Sequence, residues 1–270
     1  MTKTRCMTLG KFEENSINED SVIARKNMIA VSDGAGGGGL FADRWSRYLL
    51  KQLPTTPLTT AEELDEWIGR IWEHYYDKAE TSAQKLDAMA LDKFYDEGSF
   101  ATLAAAWKVS DNTCRWMTYG DSVVFHYDYA TKTLRHSFSA LSDFNQPPYL
   151  INCKDELNHN GFKGGEFQIT KSSIFFVASD SLSHYILMMY ELSEKELFNN
   201  ELTEAIQAGT KNSNLIQKGL GLPKFNFGKE VIEKLRRAVY DKSYCAKWLN
   251  SLYKSNLLAL DDYSLAIMYE

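Results

Sequence analysis

The sequence predicts an α+β domain built in layers. Strand-like segments lie toward both ends of the chain with helical sequence inserted between them, and the regular strand–helix alternation of a parallel sheet is missing. The 270 residues, 44% of them hydrophobic, suffice for one substantial core, so a single domain over 1–270 is expected.

The elements follow in order. Residues 21–33, SVIARKNMIAVSD, read as two strands around a tight Arg25-Lys26-Asn27 turn. In LFADRWSRYLLKQL (40–53), Phe41, Trp45, Tyr48 and Leu49 recur at helical spacing until Pro54 stops the helix. Residues 61–91 predict a long helix whose stripe of Leu64, Trp67, Ile68, Ile71, Trp72 and Tyr75 belongs to the core. From Ser99 the texture becomes strand-like: ATLAAAWKV, TCRWMTYG, DSVVFHYD and KTLRHSF, separated by turn residues, predict an antiparallel meander. Residues 139–166, with Pro147-Pro148 and three glycines, read as a long irregular loop of the kind that often carries function. A strand follows at 172–180, helices from 181 to 256, and a last strand at 263–269.

Composition excludes several function classes. The net charge is −6 and no Lys/Arg run is present, which argues against nucleic acid or an anionic membrane as the main partner. Cys6, Cys114, Cys153 and Cys245 are scattered without a C-x-x-C, so neither a zinc motif nor a disulfide framework is expected. The first sixteen residues lack an apolar signal region, and no stretch reaches the length of a membrane span; a cytoplasmic protein is expected.

The segment NMIAVSDGAGGGG (27–39) satisfies G-x-G-x-x-G after a strand, the fingerprint of a dinucleotide loop. Physical chemistry speaks against that reading, because the Asp33 carboxylate would repel a pyrophosphate unless a cation stood between them. The acidic residue expected about twenty positions on is also absent, the chain there reading Gln52-Leu53-Pro54. What remains is an aspartate at a strand end before a freely bending backbone, which suits metal coordination by a carboxylate and a neighbouring carbonyl.

The same placement recurs. Asp20 opens a strand, Asp33 closes one, Asp121 follows Gly120, Asp180 closes another, and Asp261-Asp262 precede the last. A sheet would hold each of them rigidly and could gather residues distant in sequence. Ligands of oxygen only, with no His or Cys interleaved, point to a hard cation such as Mg²⁺ or Mn²⁺.

With these blocks the chain resembles the metal-dependent PP2C-type protein Ser/Thr phosphatases, in particular their bacterial branch. The matching blocks run in the family's order: Asn18-Glu19-Asp20, Asp33 to Gly37, Gly98 to Thr102, Gly120-Asp121-Ser122, Ala178 to Ser181, and Asp261 to Ser264. Each is weak alone, but together they span nearly the whole chain. The resemblance implies a four-layer αββα sandwich of two antiparallel sheets flanked by helices. It implies two Mg²⁺ or Mn²⁺ ions, with Asp33 bridging them, Gly34 giving its carbonyl, and Glu19 and Asp20 serving the second metal. Asp180 and Asp261 would complete the first, Asp121 would match a third, weaker ion, and Asp262 would support the ligands. A hydroxide bridging the metals would be the nucleophile, and a phosphorylated protein the substrate.

The match departs at the phosphate contacts. An arginine clamp expected four residues before Glu19 is Asn15, with Lys11 or Arg44 as candidate replacements. The arginine that often follows the third aspartate block is Val123, and a glycine after Asp180 is Ser181. These departures motivate an alternative, a pseudophosphatase that binds phosphoproteins without turnover. Among the histidines, His184 lies near the Asp180 block and could face a cleft, while His74, His126, His136 and His159 read as structural.

Overall fold

The computed structural model describes residues 2–270. In chain order the strands and helices are β1 (Lys3–Leu9), β2 (Ser21–Arg25), β3 (Met28–Ser32), α1 (Ala42–Gln52), α2 (Ala61–Gln84), α3 (Ala88–Glu97), β4 (Phe100–Ala101), β5 (Leu103–Lys108), β6 (Thr113–Tyr119), β7 (Val123–Asp128), β8 (Thr133–His136), β9 (Ile151–Asn152), β10 (Phe162–Gln168), β11 (Ser173–Ala178), α4 (Asp180–Ser193), α5 (Asn199–Gln207), α6 (Lys211–Leu220), α7 (Glu233–Ala238), α8 (Lys242–Lys254) and β12 (Tyr263–Tyr269).

Two five-stranded sheets, ordered β1-β12-β11-β7-β8 and β10-β6-β5-β3-β2, lie face to face, with a small β4-β9 ladder at the side. Their facing surfaces meet through Ile29, Val31, Ala104, Ala106, Val124, Val177 and Ala266. The alternation along β5 explains this: Ala104 and Ala106 point to the partner sheet, while Leu103, Ala105 and Trp107 point outward to the helical layer of α1–α3. The outer face of the other sheet packs through Phe125, Phe176 and Ile267 on residues of α4–α8 such as Tyr185, Leu235 and Trp248. The expected αββα sandwich is therefore the observed one.

The local readings that rest on turn chemistry hold. Strands β2 and β3 pair from Ser21↔Ser32 to Arg25↔Met28, and Asn27 adopts a left-handed φ of 60° in the two-residue turn. Helix α1 ends before Pro54 as the spacing implies.

Three readings need correction, and one strand is new. The strands from Ser99 on form no single meander: β5 and β6 pair in one sheet, β7 and β8 in the other, and the chain crosses between sheets at Gly120-Asp121-Ser122. Gly120 permits the crossing, at a φ of 101° where a Cβ would meet Thr102 Cγ2 at 2.7 Å and the Tyr149 carbonyl at 2.8 Å. The long helix breaks after Gln84, and Asp87, accepting from the Ala90 N–H, starts α3. The irregular segment ends at Gly161, because Phe162–Gln168 pairs with β6; Gly164 and Gly165 face Met117 and Trp116. Strand β1, unmarked by any strong pattern, exists through its pairing with β12.

Candidate metal centre

Antiparallel pairing within each sheet, and the packing of the two sheets face to face, assemble the site. Ser21↔Ser32, Val31↔Ala104, Leu103↔Tyr119, Val123↔Ala178 and Ala178↔Leu265 place the strand termini that flank the aspartates at one end of the sandwich. Asp20, Asp33, Asp121, Asp180 and Asp261 thereby become neighbours although up to 241 positions separate them. Each charge is felt by others: burial first, then the negative charges of Asp20, Asp180, Asp121 and Asp261, push Asp33 well above the usual carboxylate range. Asp180 rises well above that range through burial and then Asp261, Asp121 and Asp20. Burial also lifts Asp121, to about 6, against the pull of a backbone N–H. Asp261 rises for the same reason.

Asp20 is the clearest case. It is 5% exposed, and neither of its carboxylate oxygens has a hydrogen-bond partner. Burial drives it to about 7, opposed by the nearby Ser179 and Ser264 hydroxyls, neither of which closes a hydrogen bond of ordinary geometry. A buried carboxylate with free lone pairs is costly unless a proton or a cation compensates it.

Backbone contacts aim the ligands. The Asp33 N–H donates to Thr102 Oγ1 (3.1 Å), the Thr102 N–H donates to the Asp33 carbonyl (2.8 Å), and Thr102 shares a hydroxyl contact with Ser122 (2.8 Å). Glu19 is held at both ends of its peptide unit: its N–H donates to Asp262 Oδ2 (2.7 Å) and its carbonyl accepts from Ser46 Oγ (2.6 Å). The other oxygen of Asp262 accepts from the Lys11 N–H at 2.9 Å. Asp262 thus ties the backbone of Lys11 to that of Glu19. The roles of Thr102 and Ser46 escaped the sequence because their partners are backbone atoms brought close only by folding.

The glycine loop now has a reason. A Cβ on Gly36 would sit 2.1 Å from Glu19 Oε1, and one on Gly34 would meet the Glu19 carbonyl at 2.6 Å, so the loop wraps the Glu19 side chain at a distance only glycine allows. Burial raises the Glu19 carboxyl, Lys11 lowers it, and Asp262, Asp43 and Asp261 raise it further.

This donor set fits hard divalent cations. It consists of oxygen atoms, it concentrates like charge in a buried place, and Asp20 carries orphaned oxygens. Among the described residues no group of three His, Cys, Asp or Glu side chains forms a metal site by itself.

The departures are also placed. Asn15 is exposed with a left-handed φ of 62°. Lys11 acts electrostatically on Glu19 and Asp261, whereas Arg44 is exposed and lies 4.3 Å over the Phe41 ring. Of the two, Lys11 is the one whose charge bears on these carboxylates. Ser181 Oγ donates to Asp261 Oδ2 at 3.2 Å, so its hydroxyl joins the ligand network, and Val123 is fully buried. His184 does not face a cleft: it is 3% exposed, packed edge-on to Phe144, and burial depresses it to about 4.

No protein-family model matches this sequence, and no curated protein matches it by sequence. Solved structures do match its fold. The catalytic domain of the serine/threonine protein phosphatase PstP, in complex with two manganese ions, aligns at TM-score 0.54 with 12% identity, covering 99% of this chain and 97% of that one. Stp1 of Staphylococcus aureus aligns at 0.54 with 10% identity over 100% and 95% of the two chains. The serine/threonine phosphatase of S. agalactiae aligns at 0.52 with 15% identity over 100% and 99%. The two-sheet sandwich, from end to end, is the fold these enzymes share with this chain.

Proposed function

We propose that this chain, acting as one domain, is a divalent-metal-dependent phosphomonoesterase that removes phosphate from phosphoserine or phosphothreonine of a protein substrate. The observation that carries the reading is the buried gathering of like-charged carboxylates, with both Asp20 oxygens unpartnered, at one end of the αββα sandwich. Asp33, the Gly34 carbonyl and Glu19, with Asp20 behind them, are the donors for one cation; Asp33, Asp180 and Asp261 are those for the other; Asp121 is available to a third, weaker one. Mg²⁺ and Mn²⁺ both satisfy the donor set, and such a pair, when bound, activates water as a nucleophile and draws negative charge from the phosphoryl oxygens.

The chain's own residues do the positioning. Thr102 grips the backbone of Asp33 from both sides, and Asp262 with Ser46 holds the peptide of Glu19. Lys11 brings positive charge to the same face and is the cation available to a phosphate oxygen now that Asn15 replaces the arginine. Among the described residues no helix is long and apolar enough to cross a membrane.

The test is Mn²⁺-dependent hydrolysis of a chromogenic aryl phosphate by wild type and Asp33→Asn, with EDTA as control. Turnover that needs metal and falls by about 10³-fold in the variant supports the reading. A second reading, phosphoprotein binding without turnover, is favoured by one observation, the exposed Asn15 at the clamp position. Wild type that binds Mn²⁺ and phosphopeptide yet hydrolyses nothing would establish it.

A further inference from the structure

Strand β2 forms the edge of its sheet and β1 the edge of the other, and the two lie on the same side of the sandwich. Between the unpaired edge of β2, beside which β1 places Thr8, and helix α1 runs a depression of about 540 Å³. Its lining includes Asp20 at one end, the strand residues Ser21, Val22 and Ile23 along its floor, and Arg25, Arg47 and Lys51 on its walls. The groove therefore has one end at Asp20, whose carboxylate turns inward to the candidate metal centre, and leads away from there.

The charge of the groove opposes that of the protein. The chain carries −6 overall, whereas the only carboxylate lining this depression is the buried Asp20. Arg25 is fixed in place, its guanidinium donating to the carbonyls of Leu53 (2.8 Å) and Leu50 (2.8 Å) at the end of α1. Arg47 is 68% exposed, and its ion pair with Asp43 is a loose 3.7 Å. Lys51 is exposed in the last turn of α1. An open strand edge presents backbone N–H and C=O groups to any extended chain laid beside it.

We propose that this groove holds the polypeptide flanking the phosphorylated residue of the substrate, and that Arg25, Arg47 and Lys51 select acidic side chains in that flank. The inference rests on the phosphatase reading and deepens it from a reaction to a substrate class. The occupant follows from two features together: a groove end beside the centre at Asp20, and positive charge on a negative protein. An extended acidic peptide satisfies both, pairing with the edge of β2 while its carboxylates meet the α1 cations.

The test compares wild type with the double variant Arg47→Glu/Lys51→Glu, both positions being exposed and outside the metal centre. Three substrates are used: a chromogenic aryl phosphate, a phosphothreonine peptide flanked by Glu, and the same peptide flanked by Lys. The groove predicts that wild type prefers the Glu-flanked peptide through KM, and that the double variant raises that KM about tenfold and loses the preference. It further predicts unchanged kcat, unchanged aryl phosphate turnover, and an effect that shrinks as salt rises. Equal KM for the two peptides in wild type, or a KM unmoved by the double variant, would overturn the proposal.

Fluorescence anisotropy with the labelled Glu-flanked peptide separates this inference from the reading beneath it. If wild type hydrolyses none of the substrates, the phosphatase reading fails. Tight binding by wild type and weak binding by the double variant would then still uphold the groove, and equal binding would reject it.

Discussion

Two carboxylates of nearly equal exposure, Asp20 and Asp128, sit at opposite ends of the sandwich and behave in opposite ways. Asp20 is 5% exposed and Asp128 is 6% exposed. Asp128, at the far end of β7, accepts hydrogen bonds from Thr170 Oγ1 (2.6 Å), Ser172 Oγ (3.0 Å) and the N–H groups of Ala130 (2.8 Å) and Thr131 (3.1 Å). Those donors hold it down at about 2. Asp20 closes no hydrogen bond of ordinary geometry, and burial, opposed by the nearby Ser179 and Ser264 hydroxyls and aided by the charge of Asp262, raises it to about 7. The lesson is that near-equal surface exposure hides different depths: Asp20 lies deep enough for desolvation to dominate, whereas Asp128 lies just under the surface, where its donors outweigh a small desolvation cost. One end of the molecule satisfies its carboxylate internally, and the other does not.

The largest expected effect comes from Asp33→Asn. Besides the activity loss, it should raise the thermal stability of the EDTA-treated protein by about 2 kcal/mol, because it removes one of the mutually repelling charges. A destabilised metal-free variant would show that the cluster is not strained as described.

The second effect is the pH dependence of the metal-free fold. The raised carboxyls bind protons more tightly in the folded chain than in the unfolded one, whose carboxylates titrate near 4. Their cost is thus absent below about pH 4, grows through the windows of Asp121 near 6 and Asp20 near 7, and is complete above them. Melting of EDTA-treated protein should fall by several degrees between pH 5 and pH 8, and added Mn²⁺ should erase much of that fall. A melting temperature that climbs over this range without metal would reverse the argument.

Glu191 gives a control away from the centre. It is buried on α4 with Oε2 unpartnered, and burial, aided by Glu201, lifts it to about 8. The same sign applies: its cost appears above the unfolded value and is complete above about 8. Glu191→Gln should therefore stabilise the protein by about 1–2 kcal/mol at pH 8 and by almost nothing at pH 4, leaving metal affinity unchanged. Calorimetry at the two pH values checks it.

Thr102→Val should weaken Mn²⁺ binding about tenfold, since Asp33 loses the hydroxyl that accepts its N–H, without unfolding the chain. Isothermal titration with Mn²⁺ reads this directly, and an unaltered affinity would remove Thr102 from the positioning set. The smallest change belongs to the other end of the comparison. Asp128→Asn should cost about 1 kcal/mol at neutral pH and leave hydrolysis and metal affinity untouched. The native contribution of Asp128 is present above the unfolded value near 4 and is lost as pH falls toward 2, so the variant and wild type should converge in acid.

Much of this was legible in the amino-acid order. The hairpin of β2 and β3 could be read because Asn27 tolerates its left-handed turn, and α1 because Pro54 ends it. The aspartates stood out through their places beside apolar strands, and the structure brings Asp20, Asp33, Asp121, Asp180 and Asp261 to one end as that pattern required. The αββα layering is expected only from the resemblance carried by the block order, while the oxygen-only carboxylate pattern and the glycine loop follow from local chemistry. These are short-range properties, in which a residue's own torsions and neighbours dominate.

Only the tertiary structure decided the rest. Pairing between strands far apart in sequence turned Lys3–Leu9 into a strand on β12 and Phe162–Gln168 into a strand on β6, and split the supposed meander between two sheets at Gly120. The hydroxyl of Thr102 reached the N–H of Asp33, and Ser46 reached the carbonyl of Glu19, through contacts that no spacing along the chain encodes. His184 was withdrawn into the core for the same reason, because helix packing on the outer sheet face, not its nearness to Asp180, set its environment. Register and burial depend on which surfaces meet when the whole chain collapses, and that is a global competition whose winner local sequence cannot name.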